Sequence, residues 1–154
     1  MKNPQTLAET LYQMFPNERL FTIKENSCCI LTFLWVLGIE PKEDVEAIML
    51  VSKLIDKGVI GKDCLVYWID VARHLTGREI AVENVKIKNL KGIKERTPVL
   101  YRRTYTDKNG DVITKEHWVG VQNGKIRFNS LEDSLTVKEG KPVEARIIKI
   151  IKEG

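Results

Sequence analysis

The amino-acid sequence predicts an α+β protein, with N-terminal helices, one of them central and buried, packed on a mainly antiparallel C-terminal sheet. Three observations predict it. As far as residue 76 the apolar residues recur at helical spacing between breakpoints rich in Pro, Asn and Gly. Within that half, the run from Cys28 to Ile39 is apolar nearly all round, which fits a helix enclosed by the rest of the fold. Beyond residue 77 the period changes, and short β-prone stretches alternate with turn residues.

Asn3-Pro4 caps and starts a first helix that runs to about Phe15, with Leu7, Leu11, Met14 and Phe15 at helical spacing. Pro16-Asn17-Glu18 breaks it. The second and central helix is expected from Ser27 or Cys28 to Leu37, with Asn26 or Ser27 as N-cap and Gly38 as a left-handed stop. Pro41 at a first helical position, followed by Glu43 and Asp44 where the helix dipole favours acid, opens a third helix that Gly58 ends. Its expected core face is Val45, Ile48, Met49, Ser52 and Ile55. Gly61-Lys62-Asp63 reads as a loop and Val66 to Leu75 as a fourth helix.

The β-prone stretches are Ile80-Ala81-Val82, Pro98 to Tyr101, Val112-Ile113-Thr114, Trp118 to Val121, Ile126-Arg127-Phe128 and Ala145 to Ile151. Asp107-Lys108-Asn109-Gly110 marks one hairpin, and Asn123-Gly124 suits a two-residue type I′ turn in another. That turn pairs Val121 with Ile126, Val119 with Phe128 and His117 with Ser130. Alternation then sets Val119, Val121, Ile126 and Phe128 on the core face, with His117 in phase with them and pointing inward. Asn129 falls on the face of Trp118 in this register.

The 154 residues suit one domain spanning 1–154, and 43% apolar with 30% charged residues excludes disordered, collagen-like and coiled-coil sequence. The longest apolar run has 12 residues against about 20 for a membrane span, so no membrane association is expected. Met1-Lys2-Asn3-Pro4 leads into a polar amphipathic segment and not a signal peptide. The odd set Cys28, Cys29 and Cys64, two of them adjacent, suits free thiols in a reducing compartment, which points to the cytoplasm. With no C-x-x-C pair, and His74 far from His117, neither metal nor cofactor is expected. Cys29 and Cys64 read as small core fillers, and His74 as an ordinary helix residue.

Cys28 is the position with chemistry. A thiol in the first turn of a helix lies near the positive dipole end and unpaired N–H groups, which favour the thiolate and can hold an oxyanion. A nucleophilic thiolate also needs a base to take and return a proton, usually a His held by an oxygen acceptor. His117 fits that role, with Asn129, Glu132 and Asp133 downstream of it, so the chain order is Cys, His, then Asn or Asp.

Asn26-Ser27-Cys28-Cys29-Ile30-Leu31 resembles the nucleophile segment of the papain-like cysteine peptidase superfamily, and Glu116-His117-Trp118-Val119-Gly120-Val121 resembles its His strand. The flavour is that of the compact bacterial branch, with the double-glycine leader peptidases that process bacteriocins and the NlpC-type cell-wall hydrolases. Uncharacterised phage- or spirochaete-associated families of this fold are similar too. The resemblance covers residues 26–38 and 115–131. It implies a papain-like fold, Cys28 as nucleophile, His117 as base and Asn129 as the residue orienting the imidazole, with Ser130 and Asp133 as alternatives. It further implies that a peptide or peptidoglycan-like amide is cleaved through an acyl-enzyme without any cofactor. The family commonly has Gly after the nucleophile and Gln six residues before it, where this chain has Cys29 and Thr22; Asn26 and Asn17 are the nearby amides. Those departures favour the alternative, a catalytically inactive papain-like module for binding or assembly, of phage descent.

Lys86, Lys88, Lys91, Lys94, Arg96, Arg102 and Arg103 stand against the single Glu95 and concentrate the net charge of +4. Such a run is an electrostatic footprint for nucleic acid or an anionic wall polymer, or else a solvated face of loops and edge strands. No nucleic-acid-binding motif accompanies it, so nucleic acid is not the expected partner. Trp35, Trp68 and Trp118 read as core, with Trp118 also shielding the imidazole of His117.

Overall fold

The computed structural model describes residues 3–60 and 66–154. Helices α1 (Pro4–Met14), α2 (Glu18–Val36), α3 (Asp44–Asp56) and α4 (Trp68–Thr76) come first. Strands β1 (Glu79–Lys86), β2 (Thr97–Thr106), β3 (Val112–Gln122) and β4 (Lys125–Phe128) follow, then the short α5 (Leu135–Glu139) and β5 (Lys141–Lys152). The five strands form one antiparallel sheet in the order β1-β5-β2-β3-β4, as the α+β pattern of the sequence requires. Cys64 and the Gly61-Lys62-Asp63 loop lie outside the described residues.

The central helix is longer than the sequence suggests. It starts at Glu18, where Asn17 serves as N-cap and its side chain accepts from the Leu20 N–H at 2.9 Å. Cys28 therefore lies deep inside α2 and not in a first turn. The extra turns escaped the apolar pattern because their buried side chains are polar: Thr22, Asn26 and Ser27. Each donates to the carbonyl four residues back, Thr22 to Glu18 (3.0 Å), Asn26 to Thr22 (2.8 Å) and Ser27 to Ile23, so polar atoms are buried without breaking the helix.

In α3 the buried residues are Ala47, Ile48, Val51 and Leu54, whereas Val45 and Met49 are exposed. The expected core face is thus rotated. Apolar residues cover more than one side of this helix, and packing against Ile30, Leu31 and Leu34 of α2 selects the narrower side that carries Ala47.

The two faces of the sheet are distinct. Ile80, Val82 and Ile148 meet α2 and α4 through Phe33, Trp68 and Ala72. On the opposite face Val99, Tyr101, Val119, Val121 and Ala145 are covered by Ile87, Leu90 and Ile93 and by Val137 of α5. Asn123 (φ +51°) and Gly124 (φ +71°) make the expected type I′ turn, with Val121 opposite Ile126. A bulge follows, so that Phe128 pairs with Gly120 and not with Val119. This corrects the expected register beyond Ile126: Phe128 turns to the helical face and stacks on Trp35, 6.2 Å between centroids.

Candidate functional site

The bulge decides what His117 can reach. Shifting β4 by one residue moves Asn129 from the phase of Trp118 to the phase of His117. His117 is buried, and its Nε2–H donates to Asn129 Oδ1 at 2.7 Å. Asn129 Oδ1 also accepts the Leu131 N–H at 3.1 Å, which identifies that atom as the acceptor and places the imidazole proton on Nε2. Nδ1 is then the basic nitrogen of the neutral ring. Burial holds the His117 pKa below the ordinary imidazole value, with the Asn129 bond acting the other way.

The alternatives to Asn129 are engaged elsewhere. Ser130 is fully buried and its hydroxyl donates to Gln5 Oε1 at 3.4 Å, whereas Asp133 pairs with Lys138 at 3.3 Å on the surface. The same loop is tied to the N-terminus of α1 by the Glu132 N–H, which donates to Asn3 Oδ1 at 2.9 Å.

Cys28 reaches β3 from another direction. β4 pairs with β3 only from Gly120 to Gln122, so the edge of β3 at Trp118 has no strand beside it. There α2 takes the place of a strand: Thr32 Oγ1 donates to Trp118 O at 3.3 Å and to Cys28 O at 2.6 Å, which sets Cys28 beside Trp118. Burial pushes the Cys28 thiol up despite the Trp118 amide, and the Cys29 thiol is pushed up by burial and by its neighbour Cys28. Both thiols are free and half-buried.

No hydrogen bond joins Cys28 to His117, although each touches β3 within one residue of the other. Cys28 borders a depression on the helical face together with Glu116 and Trp118, whereas His117 is in phase with Val119 and Val121 on the opposite face. The structure brings His117 and Asn129 together and leaves the nucleophile candidate apart from that pair. Asn17 and Asn26, the amides near an oxyanion position, are committed to capping α2 and to the Thr22 carbonyl.

Two residues outside any motif, Arg146 and Glu144, also belong to this site. Both line the depression of about 480 Å³ that holds Cys28 and Cys29, with Trp68 and Trp118 in its wall. The signal for them was the alternation of polar and apolar residues along Glu144-Ala145-Arg146-Ile147, which sets both charged side chains on one face of β5.

The basic run is partly consumed by the fold. Arg96 donates to Trp35 O at the end of α2 (2.6 Å) and lies over the Trp35 ring, Arg102 pairs with Glu116 at 2.9 Å, and Arg103 pairs with Glu139 at 2.6 Å. Among the described residues no group of three or more His, Cys, Asp or Glu could hold a metal ion, and no helix is long and apolar enough to cross a membrane. Comparison with models of known protein families finds no match, and neither curated proteins nor solved structures yield one.

Proposed function

We propose that this chain is a non-hydrolytic binding module on a papain-like scaffold, working in the cytoplasm, where its thiols stay reduced. One observation carries the reading: Cys28 borders the depression on the helical face, while His117, in phase with Val119 and Val121, is bonded to Asn129 on the other side of β3. Thiol catalysis needs nucleophile and base within hydrogen-bond reach and a thiolate stabilised near neutral pH. Here the helix dipole is spent at Glu18, and desolvation opposes the thiolate.

A thiol hydrolase is the second reading, favoured by the His117–Asn129 bond, which leaves Nδ1 as a base of the kind such a reaction uses. Site-resolved alkylation of the native protein and of His117→Ala, followed from pH 6 to pH 9, separates the two. The binding module predicts that Cys28 and Cys29 react slowly at pH 6–7 and that His117→Ala leaves Cys28 unchanged. Fast alkylation of Cys28 at pH 6–7 that is lost in His117→Ala establishes the hydrolase reading instead.

A further inference from the structure

The depression on the helical face contains a cation and an anion that form no ion pair among the described residues. Arg146 lies against two indoles, 4.5 Å from the Trp68 centroid and 4.8 Å from that of Trp118. Its Nε is buried with no hydrogen-bond partner, and its guanidinium forms no ion pair or hydrogen bond among the described residues. A buried donor left unmade is costly, and native proteins retain one where something else uses the group. The two indole contacts fix the guanidinium in the wall of the depression, and a guanidinium receives a carboxylate through two parallel bonds.

Glu144 is two residues away on the same face of β5, about 6.6 Å along the strand at about 3.3 Å per residue. It too makes no ion pair or hydrogen bond among the described residues, with Lys86 of β1 opposite it in the sheet, whereas Glu25 and Glu116 at the rim are paired with Lys24 and Arg102. A purely anionic ligand, phosphate or nucleic acid, would meet Arg146 together with three carboxylates. A purely cationic one would leave Arg146 unpaired. A ligand with both charges satisfies both groups, and a volume of about 480 Å³ falls in the usual range for small-ligand sites.

We propose that Arg146 and Glu144 form a binding site for a zwitterionic amino acid or short peptide, the carboxylate on Arg146 and the ammonium on Glu144, with Trp68 and Leu100 receiving an apolar side chain. The inference rests on the binding-module reading and names the ligand class of that module. Cys28 and Cys29 are part of the wall and take no covalent part.

The test is NMR of the full chain, reading the Arg146 Nε–H and the Trp68 and Trp118 indole N–H resonances. The probes are free leucine, a randomised tripeptide mixture with free termini, the same mixture amidated at its C-termini or acetylated at its N-termini, and inorganic phosphate. Leucine or the free tripeptides shift all three resonances, and amidation or acetylation weakens the effect by about tenfold, the value of one charge-assisted bond. Arg146→Met abolishes the shifts of the indole resonances, and Glu144→Gln makes the free and acetylated mixtures equivalent. Glu144→Gln carries the test alone if Arg146→Met fails to fold. The proposal is overturned by equal shifts from amidated and free mixtures, by phosphate acting as strongly as the peptides, or by no shift from leucine and tripeptides at about 10 mM, well above a millimolar Kd. Release of new amino groups from the tripeptides through Cys28 would instead contradict the non-hydrolytic reading, and leaves the Arg146 and Glu144 results to be judged separately.

Discussion

At the scale of single residues, Asn129 has the most to do. Its Oδ1 serves two donors, the His117 Nε2–H and the Leu131 N–H, so one amide fixes the imidazole proton and the start of the loop after β4. Replacing it by Ala leaves a buried imidazole N–H unpaired, and Asn129→Ala is expected to lose about 1–3 kcal/mol in chemical denaturation. His117 also makes stability depend on pH. Burial lowers its folded pKa below the unfolded value, so between the two the unfolded chain binds more protons. The associated stability is present above the ordinary imidazole pKa and is lost as pH falls through the window toward the lower folded value. His117→Gln should therefore flatten the decline of Tm expected of the unmodified chain as the pH falls below the ordinary imidazole value. A decline of unchanged slope in His117→Gln would show that another group is responsible.

At the scale of elements, α2 separates what the sequence made legible from what it hid. Residues 28–37 are apolar enough to declare a buried helix, and that helix is present. The ten residues before them are helical as well, but Thr22, Asn26 and Ser27 bury polar groups on their own backbone carbonyls, and no apolar period registers such a solution. The consequence reaches the candidate site, because Cys28 lies deep inside a helix capped at Asn17, away from its positive dipole end. Removing that cap tests the assignment: Asn17→Ala should cost about 1 kcal/mol and speed amide hydrogen exchange over residues 18–23, leaving residues 28–36 protected. The β3–β4 hairpin has a similar lesson. Asn123-Gly124 named its turn, but the bulge at Gly120 could not be read from alternation, and it moved Phe128 and Asn129 to the opposite faces from those expected. Gly120 is held to glycine by contact and not by backbone angle, since a Cβ there would lie 2.5 Å from the Trp35 ring. Gly120→Ala should lower stability by about 1–3 kcal/mol, and pairing it with Trp35→Leu should recover part of the loss.

At the scale of the whole molecule, the α+β order, helices and then an antiparallel sheet, was legible from the change of period near residue 77. The layout of charge was not. Of the basic run, Arg96, Arg102 and Arg103 are tied to a helix end and to two carboxylates, so the local excess is smaller than the sequence suggests. The sheet divides the chemistry, with the thiols on the helical face and the imidazole and amide on the other. The most direct measurement is a pH titration of the full chain by NMR, with the Cys28 Cβ and the His117 ring carbons labelled. Two independent steps are predicted, His117 below the ordinary imidazole value and Cys28 above the ordinary thiol value, each unaffected by mutation of the other. A thiolate and an imidazolium that appear and vanish together around neutral pH, and that both disappear in Cys28→Ser, would contradict the account and restore Cys28 as a nucleophile.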